Sequence, residues 1–323
     1  MPVCARRVFS TAGLPAAHGI ARWESHNAAA LIGLDVLADG PLAATEINVE
    51  LPEARLARVR GSAHAVERTP AVIDRSPADS IAVYLTLRGD ASFTYPGGRA
   101  ELRPGDALVC ATDRPFARGF ARGLEELVVT VPRPALRPRA DIQVSKPLVT
   151  SFRADSPGNR QPGGGDRYAR ALARLAGRAT RADATPPLID EDMVLDLVAM
   201  LATGGGVALA TAHRVAARCY IDEHLTDPGL GAEQIAAAIG LSERQLSRVF
   251  AADGTSVPRH VLTRRLQLAY ALLAAKPARV DSTAATVADV AARCGFTSAA
   301  YFSHSFRRHF GVRAGDVRGQ FAG

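Results

Sequence analysis

Two runs of side chains in the last third of the chain have the types and spacing to meet a polyanion and read it. In the first, Arg244, Ser247 and Arg248 fall three and four residues apart, so one helical face would carry them. In the second, Ala299, Ala300, Tyr301, His304, Arg307 and Arg308 follow the same helical spacing. Guanidinium groups pair with phosphate oxygens and contact guanine with two hydrogen bonds, while small apolar side chains meet the thymine methyl group. That chemistry works only on a helix thin enough and well enough anchored to lie in the groove of a duplex.

The elements that must hold these two faces are written twice. One copy runs Ile235-Ala236-Ala237-Ala238-Ile239-Gly240-Leu241-Ser242, then Leu246, Phe250 and Gly254. The other runs Val290-Ala291-Ala292-Arg293-Cys294-Gly295-Phe296-Thr297, then Phe302, Phe306 and Gly311, with one extra residue between its glycine and its first inward aromatic. Each is a short apolar helix, a glycine, an apolar turn residue, a hydroxyl and a second helix with arginines outside, which is the layout of a helix-turn-helix. Ile235 and Ile239 share a face, and Ala236 beside them lets a second helix cross closely. Gly240 and Gly295 stand where glycine takes the left-handed cap at no steric cost. Ser242 with Gln245, and Thr286 with Asp289, have capping-box spacing.

Leu246, Val249 and Phe250 point inward in the first copy, as do Val287, Val290, Ala291, Phe302, Phe306 and Phe310 in the second. The four phenylalanines from Phe296 to Phe310 read as core rather than as a stacking platform for bases. Arg248 is the expected base contact. Arg244 reaches either base or phosphate, and Arg307 and Arg308, late on their helix, fit phosphate. Two helical hairpins closing a small all-α domain are the plain alternative, one that leaves the repeat and the outward arginines unexplained. Between the copies, Pro258 fits the first turn of a helix. Val261, Leu262, Arg264, Arg265, Leu266, Leu268, Ala269, Leu272 and Leu273 continue it toward Lys276-Pro277. About 18 residues at roughly 1.5 Å each give about 27 Å. A rigid helix of that order holds two reading heads in successive major-groove segments about 34 Å apart.

These residues resemble the AraC/XylS family of transcription regulators, over Arg214 to Arg318. The family's signature stands here as Leu241-Ser-Glu-Arg-Gln-Leu-Ser-Arg-Val-Phe250, then Arg265-Leu266, Ala269 and Leu272-Leu273. It continues through Val290-Ala291, Cys294-Gly295-Phe296, Ser298, Tyr301-Phe302, Phe306-Arg307-Arg308 and Phe310-Gly311. The chain departs from the family at His304, where arginine is frequent, and an imidazole cannot make arginine's bidentate contact to guanine. It departs again at Arg313-Ala314 and Val317-Arg318, where Thr-Pro and a later Tyr-Arg are usual. The resemblance implies a regulator, an activator in the branch it matches, with double-stranded DNA and RNA polymerase as partners.

Charge agrees with that reading. The net charge is +7, and Arg214 to Arg318 holds 14 Lys or Arg against 9 Asp or Glu, so most of the excess lies there. The 323 residues predict two domains, each with ample core. Cys4, Cys110, Cys219 and Cys294 are scattered, so the sequence predicts neither a metal knuckle nor a disulfide framework, and Cys294 reads as a small core residue. Arg6-Arg7 is not followed by the apolar run of a secretory signal, and no run reaches membrane-spanning length. The expectation is a cytoplasmic protein that is not an enzyme and carries no cofactor or metal. A repair methyltransferase would need a reactive cysteine beside a base and a zinc cluster. A cupin-type oxygenase would need a histidine group, for which His64 with Glu67 is the one local candidate.

The first half reads as short strands between turns: Ala44–Val49, Ala54–Arg60, Ile81–Leu87, Ala91–Tyr95, Ala107–Cys110 and Leu124–Val131. Gly89-Asp90, Pro96-Gly97-Gly98 and Pro104-Gly105-Asp106 are the turns. Such spacing predicts a sandwich or barrel. The stretch from Trp23 through Arg60, Arg88-Gly89, Gly105-Asp106, Arg114-Pro115 and Val131-Pro132-Arg133 resembles the cupin-like sensor half of one AraC branch. That implies a small-molecule effector in the barrel, or else a barrel used only for dimerisation or partner binding. Arg58, Arg60, Tyr84 and Tyr95 either line a pocket able to take a carboxylate or face outward. Ser156–Asp166 reads as a flexible connection. Tyr168, Ala171, Leu172, Leu175 and Ala176 form one helical stripe, and Ile189, Met193, Val194, Leu197, Val198 and Leu201 a second. The resemblance implies that helices here make a homodimer. The fold expected is therefore α+β in two domains: a cupin-like β-barrel with flanking helices over residues 1–155, linker and dimerisation helices over 156–206, and over 207–323 an all-α domain of two helix-turn-helix motifs joined by a long helix.

Overall fold

A computed structural model describes residues 6–153, 165–181, 189–274 and 286–320. The linker reading for Ser156–Asp166 and the stop at Lys276-Pro277 fall largely or wholly outside these residues, and so does Cys4. The chain forms two compact units, one of residues up to 182 with 189–208, the other of the helices from Leu209 onward.

The first unit holds two antiparallel sheets. The larger runs in the order β1 (Arg6–Ser10), β3 (Ala44–Glu50), β4 (Arg55–Gly61), β11 (Leu124–Pro132), β6 (Ser80–Arg88), β9 (Asp106–Ala111) and β12 (Leu148–Ser151). The smaller runs β2 (Asp35–Leu37), β5 (His64–Arg68), β10 (Phe116–Phe120), β7 (Ala91–Tyr95) and β8 (Gly98–Leu102). The cupin-like architecture is present, with one difference from a closed barrel: the hydrogen-bond ladder does not run around it. Among the described residues the chain passes from one sheet to the other eight times, at β1–β2, β2–β3, β4–β5, β5–β6, β6–β7, β8–β9, β9–β10 and β10–β11, and no strand of one sheet pairs with a strand of the other. The result is a sandwich with free edges.

Period-two alternation assigns the faces of the larger sheet. Ala57, Val59, Tyr84, Leu108, Cys110 and Val128 turn inward and pack with Val66, Phe93, Phe116 and Phe120 of the smaller sheet. Helix α1 (Ala16–Ala30) contributes Trp23 to this core. Two short helices, α2 (Pro70–Arg75) and α3 (Arg133–Leu136), sit at strand ends. Leu85, Leu127 and Val129 face the other way and are also buried, because α4 (Gly165–Ala179) packs on β4, β11 and β12, and α5 (Glu191–Ala202) packs on β6 and β9. The two helical stripes read in the sequence are therefore engaged within this unit. Arg139 ties α5 down through Asp196 at 2.9 Å and Asp192 at 2.7 Å.

The second unit consists of α6 (Leu209–Glu223), α7 (Ala232–Ala238), α8 (Glu243–Ala252), α9 (Val257–Ala274), α10 (Val287–Arg293), α11 (Ala299–Phe310) and α12 (Ala314–Gln320). Its core has two parts that meet along α9. Ile235, Leu246, Phe250 and Val261 belong to the first, and Leu266, Val290, Cys294, Phe302 and Phe306 to the second. Leu268 touches both.

Candidate DNA-reading surface and sensor interior

The first head is α7 and α8. Gly240 has φ +73°, and the amide of Leu241 returns to the carbonyl of Ala236 at 2.9 Å, closing α7 with a left-handed cap. Two residues on, Ser242 caps α8: its hydroxyl accepts from the amide of Gln245 at 3.3 Å, and the Gln245 side chain accepts from the amide of Ser242 at 2.9 Å. Leu246 and Phe250 are fully buried. Arg244, Ser247 and Arg248 are left exposed on the opposite face. The far end of α8 is held by Asp253, which accepts from Arg218 at 3.0 Å and Arg214 at 3.3 Å.

The second head repeats this geometry. Gly295 has φ +81°, and the amide of Phe296 returns to the carbonyl of Ala291 at 3.1 Å. At the start of α10 the hydroxyl and amide of Thr286 both donate to Asp289, at 2.8 Å and 2.7 Å. Those donors hold the Asp289 carboxyl below the usual carboxylate range. The extra residue of this copy sits in the turn. The residue that caps α11 is Ser298, whose hydroxyl accepts from the amide of Tyr301 at 3.2 Å, so the turn is one residue longer than in the first head. Phe302 and Phe306 are fully buried and Phe310 half-buried. Ala299, Ala300, Tyr301, His304, Arg307 and Arg308 are all exposed. Burial pushes the Cys294 thiol up to about 11, so it is a neutral core residue.

Each set of residues singled out by sequence thus lies on one solvent-facing helix. Among the described residues, Arg244, Arg248, Arg307 and Arg308 make no hydrogen bond or ion pair within the chain. Other arginines of the unit are engaged. Arg264 holds Asp222 with two hydrogen bonds at 3.0 Å and 3.1 Å. Arg265 donates to the carbonyls of Leu225 at 3.0 Å and Asp227 at 2.6 Å. Their spacing in the sequence places both simply on an amphipathic helix. Their partners are backbone and side-chain groups some 40 residues away, which spacing does not reveal.

The interior of the sandwich carries polar groups in one row across the larger sheet. Glu46 lies beside Val59, Val59 beside Glu126, and Glu126 beside Thr86. From the facing sheet Arg118 meets Glu126 with two hydrogen bonds, at 2.8 Å and 2.7 Å. Its guanidinium carbon sits 3.9 Å from the ring centroid of Tyr84 and 4.9 Å from that of Phe120. Burial works against the charge of Arg118, but the Glu126 carboxylate outweighs it and raises its pKa. Burial also raises the Tyr84 hydroxyl and lowers His64, which stays neutral near pH 7 with its ring beside Phe120. Tyr84 is therefore interior. Arg58 and Arg60 are on the outer face with Glu125, at 3.6 Å and 2.9 Å. Among the described residues no three His, Cys, Asp or Glu side chains cluster as metal ligands, and no helix is long and apolar enough to cross a membrane.

Comparison with known proteins bears on both units. A helix-turn-helix domain model matches residues 235–320, and an AraC-binding-like domain model matches residues 25–202, more than half of the chain. The chain belongs to the AraC family. The transcriptional activator NphR from a Rhodococcus species is 26% identical over 271 residues, covering 82% of this chain and 77% of that protein. The transcriptional activator RhrA of Rhizobium meliloti is 31% identical over 98 residues, 30% of each protein. The crystal structure of the AraC-like transcriptional activator CuxR superposes with a TM-score of 0.47 at 20% identity, covering 83% of this chain and 96% of that one. As an AraC family member the protein is a DNA-binding transcription regulator, with a helix-turn-helix unit and an N-terminal domain of the effector-binding type.

Proposed function

We propose that this AraC family protein is a sequence-specific activator whose two heads enter successive major-groove segments of one operator face. Arg248, with Arg244 and Ser247, reads base edges from α8. Ala299, Ala300, Tyr301 and His304 read from α11, and Arg307 and Arg308 hold phosphate. The observation that carries this reading is the pair of capped, solvent-facing helices, each bearing arginines with no intramolecular partner among the described residues. A small molecule held between the sheets of the first unit biases DNA binding or contact with RNA polymerase, which it does only by binding the two states unequally. The activator assignment follows the names of NphR and RhrA. The protein acts on the chromosome and so in the cytoplasm, as a homodimer on tandem half-sites, and it catalyses no reaction.

The test is footprinting of the purified full chain on genomic DNA, followed by titration of the protected fragment. Protection of two boxes one helical turn apart is expected, with affinity at least a thousandfold above that for random duplex, the low end for specific binders. Equal affinity for both would sink the reading. Analytical ultracentrifugation with and without the fragment tests the dimer.

A further inference from the structure

We infer that the sensor unit holds its effector in a pocket at the corner where β9 passes to β10, and that this pocket takes a small hydrophobic carboxylate. The inference rests on the proposed effector function and names its site and ligand class. The pocket has a volume of about 300 Å³, the low end of the range for small-molecule sites. Phe93, Phe116 and Cys110 of the sandwich core form its floor, and Tyr95 walls it. The rings of Phe93 and Phe116 stack with centroids 5.1 Å apart, and Tyr95 leans on Phe93 at 6.1 Å. The Cys110 thiol is pushed up to about 12 by burial, so the floor is uncharged.

Among the described residues two cations, Arg114 and Lys146, line this pocket, and no acidic residue does. Both are exposed, and among the described residues neither makes a hydrogen bond or ion pair within the chain. Arg114 stands on a turn fixed from below. The fully buried Arg68 donates to the carbonyls of Thr112 at 2.6 Å, Gly33 at 2.6 Å and Ser76 at 2.8 Å, and to Asp113 at 3.1 Å. Asp113 in turn accepts from the amides of Ala78 at 3.1 Å and Asp79 at 2.6 Å. Asp113, the acid next to Arg114 in the chain, is thereby engaged, and Arg114 is presented on a rigid support.

An uncharged aromatic floor under a doubly cationic rim selects a ligand with an apolar body and one anionic head. An amine meets the rim with like charge. A sugar leaves the floor unfilled and the cations without a partner. The cavity beside Arg118 and Glu126 is a weaker claimant: it measures about 40 Å³, room for about one water, and its ion pair is already mutually bonded.

The experiment is calorimetric titration of the full chain with phenylacetate and octanoate. Phenylacetamide and 1-octanol serve as the uncharged counterparts, with Arg114→Gln and Lys146→Gln as variants. The fluorescence of Trp23, the single tryptophan, confirms that the variants fold. Both acids should bind, the uncharged pair at least tenfold more weakly, and each variant should lose about tenfold in acid affinity, the size of one charge-assisted contact. Acid affinity that neither substitution changes overturns the site. A parallel titration of the footprinted fragment separates the two claims. If the acids bind as described and DNA affinity does not move, the pocket stands and the effector function falls. If the acids do not bind, yet a screened amine or neutral compound shifts DNA affinity, the effector function stands and this pocket assignment falls.

Discussion

Arg265 bridges the turn of the second head, at Gly295, to the loop that leads into the first. A Cβ built on Gly295 would lie 3.0 Å from the Arg265 Nε and 3.1 Å from the carbonyl oxygen of Thr226. The same guanidinium holds the loop after α6 through the carbonyls of Leu225 and Asp227. The turn of the second head therefore rests on an α9 side chain that also holds the loop leading into the first. Gly295 is required twice over, for its φ of +81° and for this approach.

That coupling makes a prediction about spacing. Arg265→Ala leaves each head folded around its own core on α9 but removes the contact between the turn of the second head and the loop that leads into the first. The variant should bind a single box as the wild type does, and lose affinity for the two-box site. Its preference among sites whose boxes are moved one base pair apart or together should flatten. Gel-shift titrations on the spacing series measure this; an unchanged spacing optimum removes Arg265 from the role.

The arginines of α8 and α11 should fail differently. Arg248→Ala is expected to cost about 1–3 kcal/mol at the specific site and to relax preference at one base pair. Arg307→Ala or Arg308→Ala should weaken binding to every sequence and lower the slope of log affinity against log salt by about one. Salt titrations on specific and random duplex separate the two. A slope untouched by either late arginine argues against phosphate contact.

Inside the sandwich, Arg118 and Glu126 are nearly inaccessible, with side-chain exposures of 2% and 4%. Removing one partner leaves a buried charge without compensation. Glu126→Gln or Arg118→Met alone should destabilise the unit by about 3–5 kcal/mol, and the Arg118→Met, Glu126→Leu pair by much less. Urea melts followed by Trp23 fluorescence test this; a double variant as unstable as the worse single one counts against an isolated pair.

The same residues show how much of the fold is legible in the sequence. Six strands read from alternating apolar runs are present, with ends shifted by a residue or less at every terminus. Strands β1, β2, β5, β8, β10 and β12 do not show as alternating apolar runs, and of these β5 and β10 each turn an arginine into the core. Phe116, Arg118 and Phe120 alternate inward, but a charge in the middle hides the period. Likewise Arg68, fully buried, looks like a surface residue until its four acceptors are brought to it from distant loops. The heads were legible because caps, glycines and inward side chains are local. The contacts of Arg264 and Arg265, the Ser298 cap after a longer turn, and the pocket under Arg114 depend on segments far apart or on the length of a turn.

Asp113 gives the sensor unit a defined acid response. Burial raises its carboxyl, but the amides of Ala78 and Asp79 and the Arg68 guanidinium outweigh that and hold it below the usual carboxylate range. A folded pKa below the unfolded one means that the stabilisation is complete above the unfolded value, about 3.9, and is lost as pH falls through the folded value. Asp113→Asn should therefore be less stable than the wild type at pH 7, and the gap should close as pH falls below about 4. Trp23-monitored urea melts across that range decide it. A gap independent of pH shows that the carboxylate charge is not what matters.

His304 makes the second head read differently from the first. Helix α8 presents Arg244 and Arg248, whereas the exposed early face of α11 presents Ala299, Ala300, Tyr301 and His304, with no arginine before Arg307. Small apolar side chains meet the thymine methyl group, and only arginine or lysine spans the two acceptors of guanine. The box under α11 should therefore be rich in A·T pairs. Replacing its thymines by deoxyuridine, which removes the methyl group alone, should weaken wild-type binding, while the same replacement under α8 should do less. His304→Arg should shift one position of that box toward guanine by about 1–3 kcal/mol. Selection from randomised duplex with the wild type and the variant measures both effects. A guanine-determined second box in the wild type, or no change of preference in the variant, would show that His304 does not face the bases.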